Sequence, residues 1–408
     1  MQYNIRINKD TEKAGNGCVA DSLPDSVCIL GSTGSVGRQA IDVARTQGIR
    51  VEFICSGHDI KTLEEQVREF HPRFCAVSDE SKAKDLATRI FDTDTKVFSG
   101  TDGITEAISE SKSSVAVNSI LGEAGLVPTL AVIKSKKRLA LANKESLVIA
   151  GDIVMRNARE NNVEILPVDS EHSAIFQSLG KAPKDTVKRI LLTASGGPFF
   201  GYDREELKKV TLEETLSHPT WNMGKKITVD SATMMNKGFE VIEAHHLFDV
   251  DVSKIQVLVH RESILHSAVE YIDNAVIAQL GVPDMRLCIQ YAITYPKRVF
   301  GNVKPLDLFS VGKLTFAEPD MNSFPLLALA YKASALGGAV PAVMNAANEV
   351  AVSSFLASEI PFCRISEIVE GVVLNMEYAK KYESLDDIIA SDREARRMAK
   401  NLLKLSPQ

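Results

Sequence analysis

The chain has 408 residues, 45% hydrophobic and 25% charged, with a formal net charge of −6. That length supports two or three domains with sizeable cores, and the composition is that of a soluble globular protein. The acidic balance argues against general nucleic-acid binding, and no apolar run approaches the roughly 20 residues needed to span a membrane.

Residues 1–24 are polar, with Gly15, Gly17 and Pro24, and lack the apolar core of a signal peptide. They read as a loose arm. Six cysteines, at 18, 28, 55, 75, 288 and 363, form no CxxC pair. This pattern suits buried free thiols in a reducing compartment. The apolar run Val27–Leu30 reads as a strand entering Gly31-Ser-Thr-Gly34-Ser-Val-Gly37 and then an amphipathic helix with Val36, Ala40, Val43 and Ala44. Glycines there permit a tight turn and close backbone approach to a pyrophosphate at the helix start. The GxxGxxG spacing is a variant of the dinucleotide fingerprint.

Val51–Ser56 predicts the next strand, followed by Gly57-His58-Asp59. An acid near this place holds an adenosine ribose 2′-hydroxyl, so Asp59 favours NAD, whereas His58 favours a 2′-phosphate and NADP. Strand-like runs recur at Phe74–Val77, Val115–Val117, Leu139–Ala142 and Val163–Val168, with helical patterns between several of them. That alternation predicts a parallel sheet with helices on both faces. Asn143-Lys144-Glu145-Ser146 leaves one strand at its carboxyl end, where ligands bind or a helix is capped.

Val163–Val168 delivers Asp169-Ser170-Glu171-His172. Two carboxylates one residue apart suit a hard cation such as Mg²⁺ or Mn²⁺, and His172 suits a supporting or core role more than that of a further ligand. Leu191–Ala194 predicts a strand that opens into Ser195-Gly196-Gly197-Pro198, a turn able to wrap an anion or simply to reverse the chain. Thr211–Lys226 carries the chain's only Trp, in His218-Pro-Thr-Trp221-Asn-Met223-Gly224, and reads as a mobile segment or a packed surface loop.

Thr228-Val229-Asp230 predicts the end of a strand, with Asp230 or Ser231 capping a helix through Ile242. On that helix Asn236, Glu240 and Glu243 share one face, with Lys237 beside them. A hydroxyl, an amide, an ammonium and carboxylates near a helix start suggest an anion site with a cation next to it, set against an ordinary solvated polar face. Ile255–Val259 and Ala275–Leu280 read as strands of a second sheet, and His266 as a packed or hydrogen-bonded histidine. Gly301–Phe324 is a Pro- and Gly-rich arm, and helical patterns follow near 324–336, 341–357, 364–379 and 391–405.

Seven motifs stand in order: GSTGSVG (31–37), LANKESL (141–147), PVDSEHSAIFQ (167–177), TASGGP (193–198), HPTWNMG (218–224), DSATMMNKGFE (230–240) and GVPDMR (281–286). Together they resemble the 1-deoxy-D-xylulose 5-phosphate reductoisomerase family from about residue 26 to the C-terminal helices. The resemblance implies an α/β fold with an N-terminal Rossmann-like parallel sheet, a central α/β catalytic domain and a C-terminal α-helical bundle. Its divisions would fall at 1–25 (arm), 26–168 (dinucleotide-binding), 169–295 (catalytic, with a mobile loop near 214–225), 296–322 (linker) and 323–408 (helical). It implies NADPH and a divalent metal, Mg²⁺ or Mn²⁺, with rearrangement and reduction of the phosphosugar to 2-C-methyl-D-erythritol 4-phosphate.

Family metal ligands fall on Asp169, Glu171 and Glu240. Phosphate positions fall on Ser195, Ser231, Asn236 and Lys237, with His218 closing over the substrate. Ser170 and Lys144 lie near the substrate's oxygens and the reacting centre, and Trp221 and Met223 cover it. Cofactor positions fall on Gly31, Thr33, Gly34, Ser35, Val36, Gly57, Asn143, Glu145 and Gly224, with His58 and Asp59 where many relatives carry a basic and an amide residue. The family also implies a homodimer in a bacterial cytoplasm or plastid stroma, with no nucleic-acid or membrane partner. A metal-dependent dehydrogenase of another phosphosugar, and a non-catalytic nucleotide sensor, are the competing readings.

Overall fold

The computed structural model describes residues 23–221, 223–376, 382 and 384–404. The arm expected before residue 23, the ends of the patterns expected to reach 379 and 405, and Asn222 of the Trp-bearing segment lie outside the described residues.

Seven strands form one parallel sheet: β1 (Ser26–Leu30), β2 (Arg50–Ser56), β3 (Phe74–Val77), β4 (Lys96–Ser99), β5 (Val115–Asn118), β6 (Arg138–Leu141) and β7 (Ile165–Pro167), in the order β4-β3-β2-β1-β5-β6-β7. Their nearly continuous apolar sequence follows from helices covering both faces, which removes both sides of each strand from water. Strand β4 was not expected: Lys96-Val-Phe-Ser is short and half exposed, an edge strand with little periodicity to read. The glycine turn leaves β1 and enters helix α1 (Ser35–Gln47). A Cβ on Gly37 would lie 2.1 Å from the carbonyl oxygen of Gly31, so no larger residue lets α1 start this close to the turn. Strand order reverses between β1 and β5, and a ligand crevice opens beyond their carboxyl ends.

Four more strands, β8 (Val187–Ala194), β9 (Ile255–Val259), β10 (Leu265–Tyr271) and β11 (Val276–Leu280), form a second sheet in the order β11-β10-β8-β9. Strand β10 was missed because its near-continuous burial leaves no alternation of polar and apolar residues. His266 lies on it and is buried. The four C-terminal helices, Pro325–Leu336, Val340–Leu356, Phe362–Asn375 and Leu385–Leu403, share one apolar core with this sheet, through Ile190, Leu192, Val343 and Val369 among others.

The expectation for 228–230 is corrected. Lys225–Ala232 is a helix, Met234 turns the chain at φ +62°, and a second helix runs Met235–Phe248. The β-branched Thr228 is accommodated because its hydroxyl donates to the Gly224 carbonyl at 2.9 Å, and Lys226 and Asp230 pair across one turn. Asp230 and Ser231 are therefore in the last turn of the first helix and cap nothing in the second.

Candidate functional site

A cavity of about 830 Å³ lies between the carboxyl ends of the parallel sheet and the second sheet. It is lined by Lys144, Asp169, Ser170, Glu171, Ser195, His218, Trp221, Met223, Ser231, Asn236, Lys237 and Glu240, which is every residue expected to bind metal or substrate. Of the expected cofactor positions Gly34, Ser35, Val36, Glu145 and Gly224 line it; Gly31, Thr33, Gly57, His58, Asp59 and Asn143 do not.

Each element delivers its side chain for a local reason. Just beyond the end of β6, Asn143 Oδ1 accepts the Ser146 N–H at 2.9 Å, in the first turn of the helix that begins at Glu145. Asn143 Nδ2 ties down the β5 loop by donating to Ile120 and Gly122 carbonyls at 2.7 and 3.0 Å. Its side chain is thus engaged with the backbone, and Lys144 beside it reaches into the cavity. Asp169 sits at the start of helix Ser170–Leu179, so Asp169 and Glu171 project from the first turn. Gly197, at φ +66°, has a backbone so close to the neighbouring helix that a Cβ would lie 2.8 Å from the Ser231 carbonyl oxygen. That approach brings the Ser195 turn against Ser231.

Carboxylate oxygens of Asp169, Glu171 and Glu240 lie within 4.8 Å of one another. They are nearly buried, with side chains 13%, 19% and 1% exposed. Two ammoniums sit among them. Lys144 Nζ is 2.6 Å from Asp169 Oδ2, 3.0 Å from Glu240 Oε1 and 2.9 Å from Asn236 Oδ1. Lys237 Nζ donates to Glu171 Oε1 at 2.8 Å and to Glu240 Oε2. Burial disfavours the Lys144 cation, but Asp169, Glu240 and Glu243 more than reverse this and raise its pKa well above the usual lysine value. Burial likewise opposes the Glu171 anion, and the Lys237 ammonium overcomes it, leaving the carboxyl below its ordinary pKa.

Asn236 and Lys237, expected at a phosphate, are drawn onto the carboxylates instead. Ser195 and His218 form a separate pair, Ser195 Oγ 2.9 Å from His218 Nε2. His218 Nδ1 accepts the Thr220 and Trp221 N–H groups at 3.2 and 2.9 Å, so in the neutral ring the proton is on Nε2, facing Ser195. Burial, helped by Arg261, lowers the His218 pKa to about 4.

Glu243 shares the helix face as expected but points away from the cavity. Its Oε2 is 3.3 Å from His172 Nδ1, while His172 Nε2 donates to the Glu240 carbonyl at 2.9 Å. Burial, with the Asp169 charge, pushes the Glu243 pKa well up. His172 therefore braces the helix that carries Glu240. Residues not anticipated also line the cavity: Ser119, Ile120 and Leu121 after β5, Arg38 on α1, and His260 and Arg286. The strand-order reversal, which only the assembled sheet reveals, is what points to the β5 loop.

The donor set fits a hard divalent cation. All three side chains offer oxygen, and buried Asp169 Oδ2 accepts no well-aligned hydrogen bond. A glycine turn at a sheet reversal, beside a carboxylate trio, defines the class as a dinucleotide-fold oxidoreductase with a metal-type centre.

Comparison with known proteins narrows this. Profiles described as 1-deoxy-D-xylulose 5-phosphate reductoisomerase match residues 27–151, and its C-terminal domains match 165–248 and 280–398. The reductoisomerase of Acetivibrio thermocellus is 53% identical over 94% of this chain and 100% of its own length. That of Agathobacter rectalis is 50% identical over 90% of this chain and 97% of its own. The solved structure of the Zymomonas mobilis reductoisomerase in complex with NADPH superposes with a TM-score of 0.88 at 40% identity, covering 93% of this chain and 99% of that one. A DOX-P reductoisomerase in complex with NADPH, fosmidomycin and magnesium also gives 0.88, at 38% identity, covering 93% and 98% of the two chains. The chain belongs to the 1-deoxy-D-xylulose 5-phosphate reductoisomerase family.

Proposed function

We propose that this chain rearranges and reduces 1-deoxy-D-xylulose 5-phosphate to 2-C-methyl-D-erythritol 4-phosphate with NADPH and Mg²⁺ or Mn²⁺, in non-mevalonate isoprenoid biosynthesis. The observation that carries the reading is the convergence of Asp169, Glu171 and Glu240 on one point of a cavity that the dinucleotide turn also borders. A bound cation supplies Lewis-acid polarisation of the ketone, and the reduced nicotinamide supplies hydride.

Asp169, Glu171 and Glu240 are the metal-holding set. Lys144, held protonated by its carboxylate neighbours in the metal-free protein, is placed to donate hydrogen bonds to substrate oxygens. Ser170 Oγ donates to Glu171 Oε2, which fixes that carboxylate's orientation. His218 Nε2–H and the Ser195 and Ser231 hydroxyls are the first phosphate donors. Asn236 and Lys237 join them when the carboxylates' charge is neutralised from another source and their ammonium and amide contacts are released. A remote phosphate anchor lets binding energy position the reacting carbons. Trp221 and Met223 line the cavity and are placed to shield the substrate from water.

The metal- and nicotinamide-dependent chemistry is tested by following loss of NADPH absorbance with 1-deoxy-D-xylulose 5-phosphate and Mn²⁺, with and without EDTA. Oxidation that EDTA abolishes is expected; no oxidation by folded, metal-loaded protein sinks the substrate assignment.

The chain works as a homodimer in a cytoplasm or stroma. Exposed Val276 and Ile277 on the edge strand β11 support the first, and the buried free thiols Cys28, Cys55, Cys75 and Cys288 the second. Light scattering that gave a monomer mass, or detection in an exported cell fraction, would refute each in turn. Among the described residues no helix is long and apolar enough to cross a membrane.

A further inference from the structure

The loop after β2 and the first turn of α1 meet where a dinucleotide's adenosine ribose lies in this fold. An acid there binds the ribose hydroxyls and favours NADH, whereas a nearby arginine accommodates a 2′-phosphate. Both residue types are present, and the geometry separates them. Asp59 is engaged on two sides. Its Oδ1 accepts the Thr62 N–H at 3.1 Å and caps helix α2 (Ile60–Phe70), and its Oδ2 takes Arg38 Nη2 at 3.3 Å. Asp59 does not line the cavity, and Arg38 does. Arg38 is anchored at its base, with Nε donating to the Thr33 carbonyl at 2.7 Å and Nη2 also donating to Thr62 Oγ1 at 3.2 Å. Its side chain is 57% exposed, and Nη1 makes no hydrogen bond among the described residues.

We propose that Arg38, not Asp59, reads the cofactor's adenosine ribose, receiving a 2′-phosphate on its guanidinium and setting a preference for NADPH over NADH. The proposal rests on the NADPH-dependent reading above. A planar guanidinium matches a phosphate with two parallel hydrogen bonds, and a phosphate monoester carries nearly two negative charges at neutral pH. Asp59 does not veto the phosphate, because the α2 cap and Arg38 both engage its charge. Its pair with Arg38 is exposed and weak, so the guanidinium re-pairs with the stronger anion at little cost. His58, 83% exposed and 3.9 Å from Asp79, adds a second cation on this side only when protonated.

The test is calorimetric titration of the full chain with NADPH, NADH, 2′,5′-ADP and 5′-AMP, for the wild type and for Arg38→Ala, Arg38→Lys and Asp59→Asn. The wild type is expected to bind the 2′-phosphorylated member of each pair about tenfold or more tightly. Arg38→Ala should weaken NADPH and 2′,5′-ADP by about 30-fold, the scale of one charge-assisted contact, with NADH and 5′-AMP changed by less than about threefold. Arg38→Lys should keep part of the preference as a point charge. Asp59→Asn keeps the cap, frees Arg38, and should tighten NADPH while leaving NADH in place. Equal losses for phosphorylated and unphosphorylated ligands in Arg38→Ala would assign Arg38 to the turn alone and overturn the proposal. Loss of NADH binding in Asp59→Asn would return the ribose to the acid. A wild type with no preference for the 2′-phosphate overturns the NADPH reading itself, whatever the variants do.

Discussion

Lys226→Met tests whether buried charge ties the Trp-bearing segment to both halves of the cavity. Lys226 Nζ lies 3.0 Å from Glu145 Oε1 and 3.0 Å from Asp230 Oδ2, and Asn348 Nδ2 donates to Asp230 Oδ1 at 2.7 Å. Lys226 thus joins the helix start behind Lys144 to the helix that carries Ser231. Methionine keeps most of the volume and removes the cation. Removing one partner of a buried pair costs about 3–5 kcal/mol.

Protonation sets a ceiling on the Asp230 share of that cost, to which buried Glu145 adds its own. The Asp230 side chain is only 2% exposed, and burial already holds its pKa above the usual value despite Lys226. Without the lysine it takes up a proton, at about 1.4 kcal/mol for each of the roughly three pH units between pH 7 and an ordinary aspartate, or about 4 kcal/mol. The Asp230 share of the loss is therefore about 3–4 kcal/mol at pH 7. In the variant the folded pKa exceeds the unfolded one, so the folded state holds a proton that the unfolded state releases. The penalty then grows as pH rises from about 4 and shrinks to about 1–2 kcal/mol at pH 5. Urea unfolding followed by circular dichroism at both pH values measures it. Adding Asp230→Asn should recover part of the loss and reduce its pH dependence, the remainder belonging to Glu145. A loss that is equal at pH 5 and pH 7, or unrelieved in the double variant, refutes buried charge as its source.

Glu240→Gln removes the anion that Lys144, Lys237 and Asn236 share, and should weaken Mn²⁺ binding, read by electron paramagnetic resonance, by about tenfold or more; unchanged affinity takes Glu240 out of the metal set. Gly37→Ala forces a Cβ into the Gly31 carbonyl and should cost about 1–3 kcal/mol together with most NADPH binding, read by nucleotide fluorescence. His218→Gln removes the Nε2–H that faces Ser195 and should raise substrate KM about tenfold with a smaller change in kcat. Because the His218 pKa is about 4 in the free protein, wild-type substrate affinity should be flat between pH 6 and pH 8 as far as this ring is concerned. A titration step near pH 6.5 that vanishes in His218→Gln would contradict that.

The parallel sheet was legible in the sequence because buried strands are written as short apolar runs and β1 ends in a glycine turn. The site's chemistry was legible because carboxylates, lysines and serines follow strand ends and helix starts, the positions that open onto a crevice. The central stretch was misread at Thr228–Asp230: β-branched residues favour strand locally, but the Lys226–Asp230 pair and the Gly224 contact supply partners that make a helix better. Strand β4 is an edge without periodicity, and strand β10 is buried without alternation, so neither carried a signal.

The order of residues alone determined which groups are available: three carboxylates, two lysines, the serines and the glycines. Only the tertiary structure decided how they pair. Distances between residues remote in the chain set the electrostatics, so Lys144 and Lys237 face carboxylates, and Asp59 is occupied by α2 and Arg38. Pairing energies depend on separation and burial, and a linear pattern records neither.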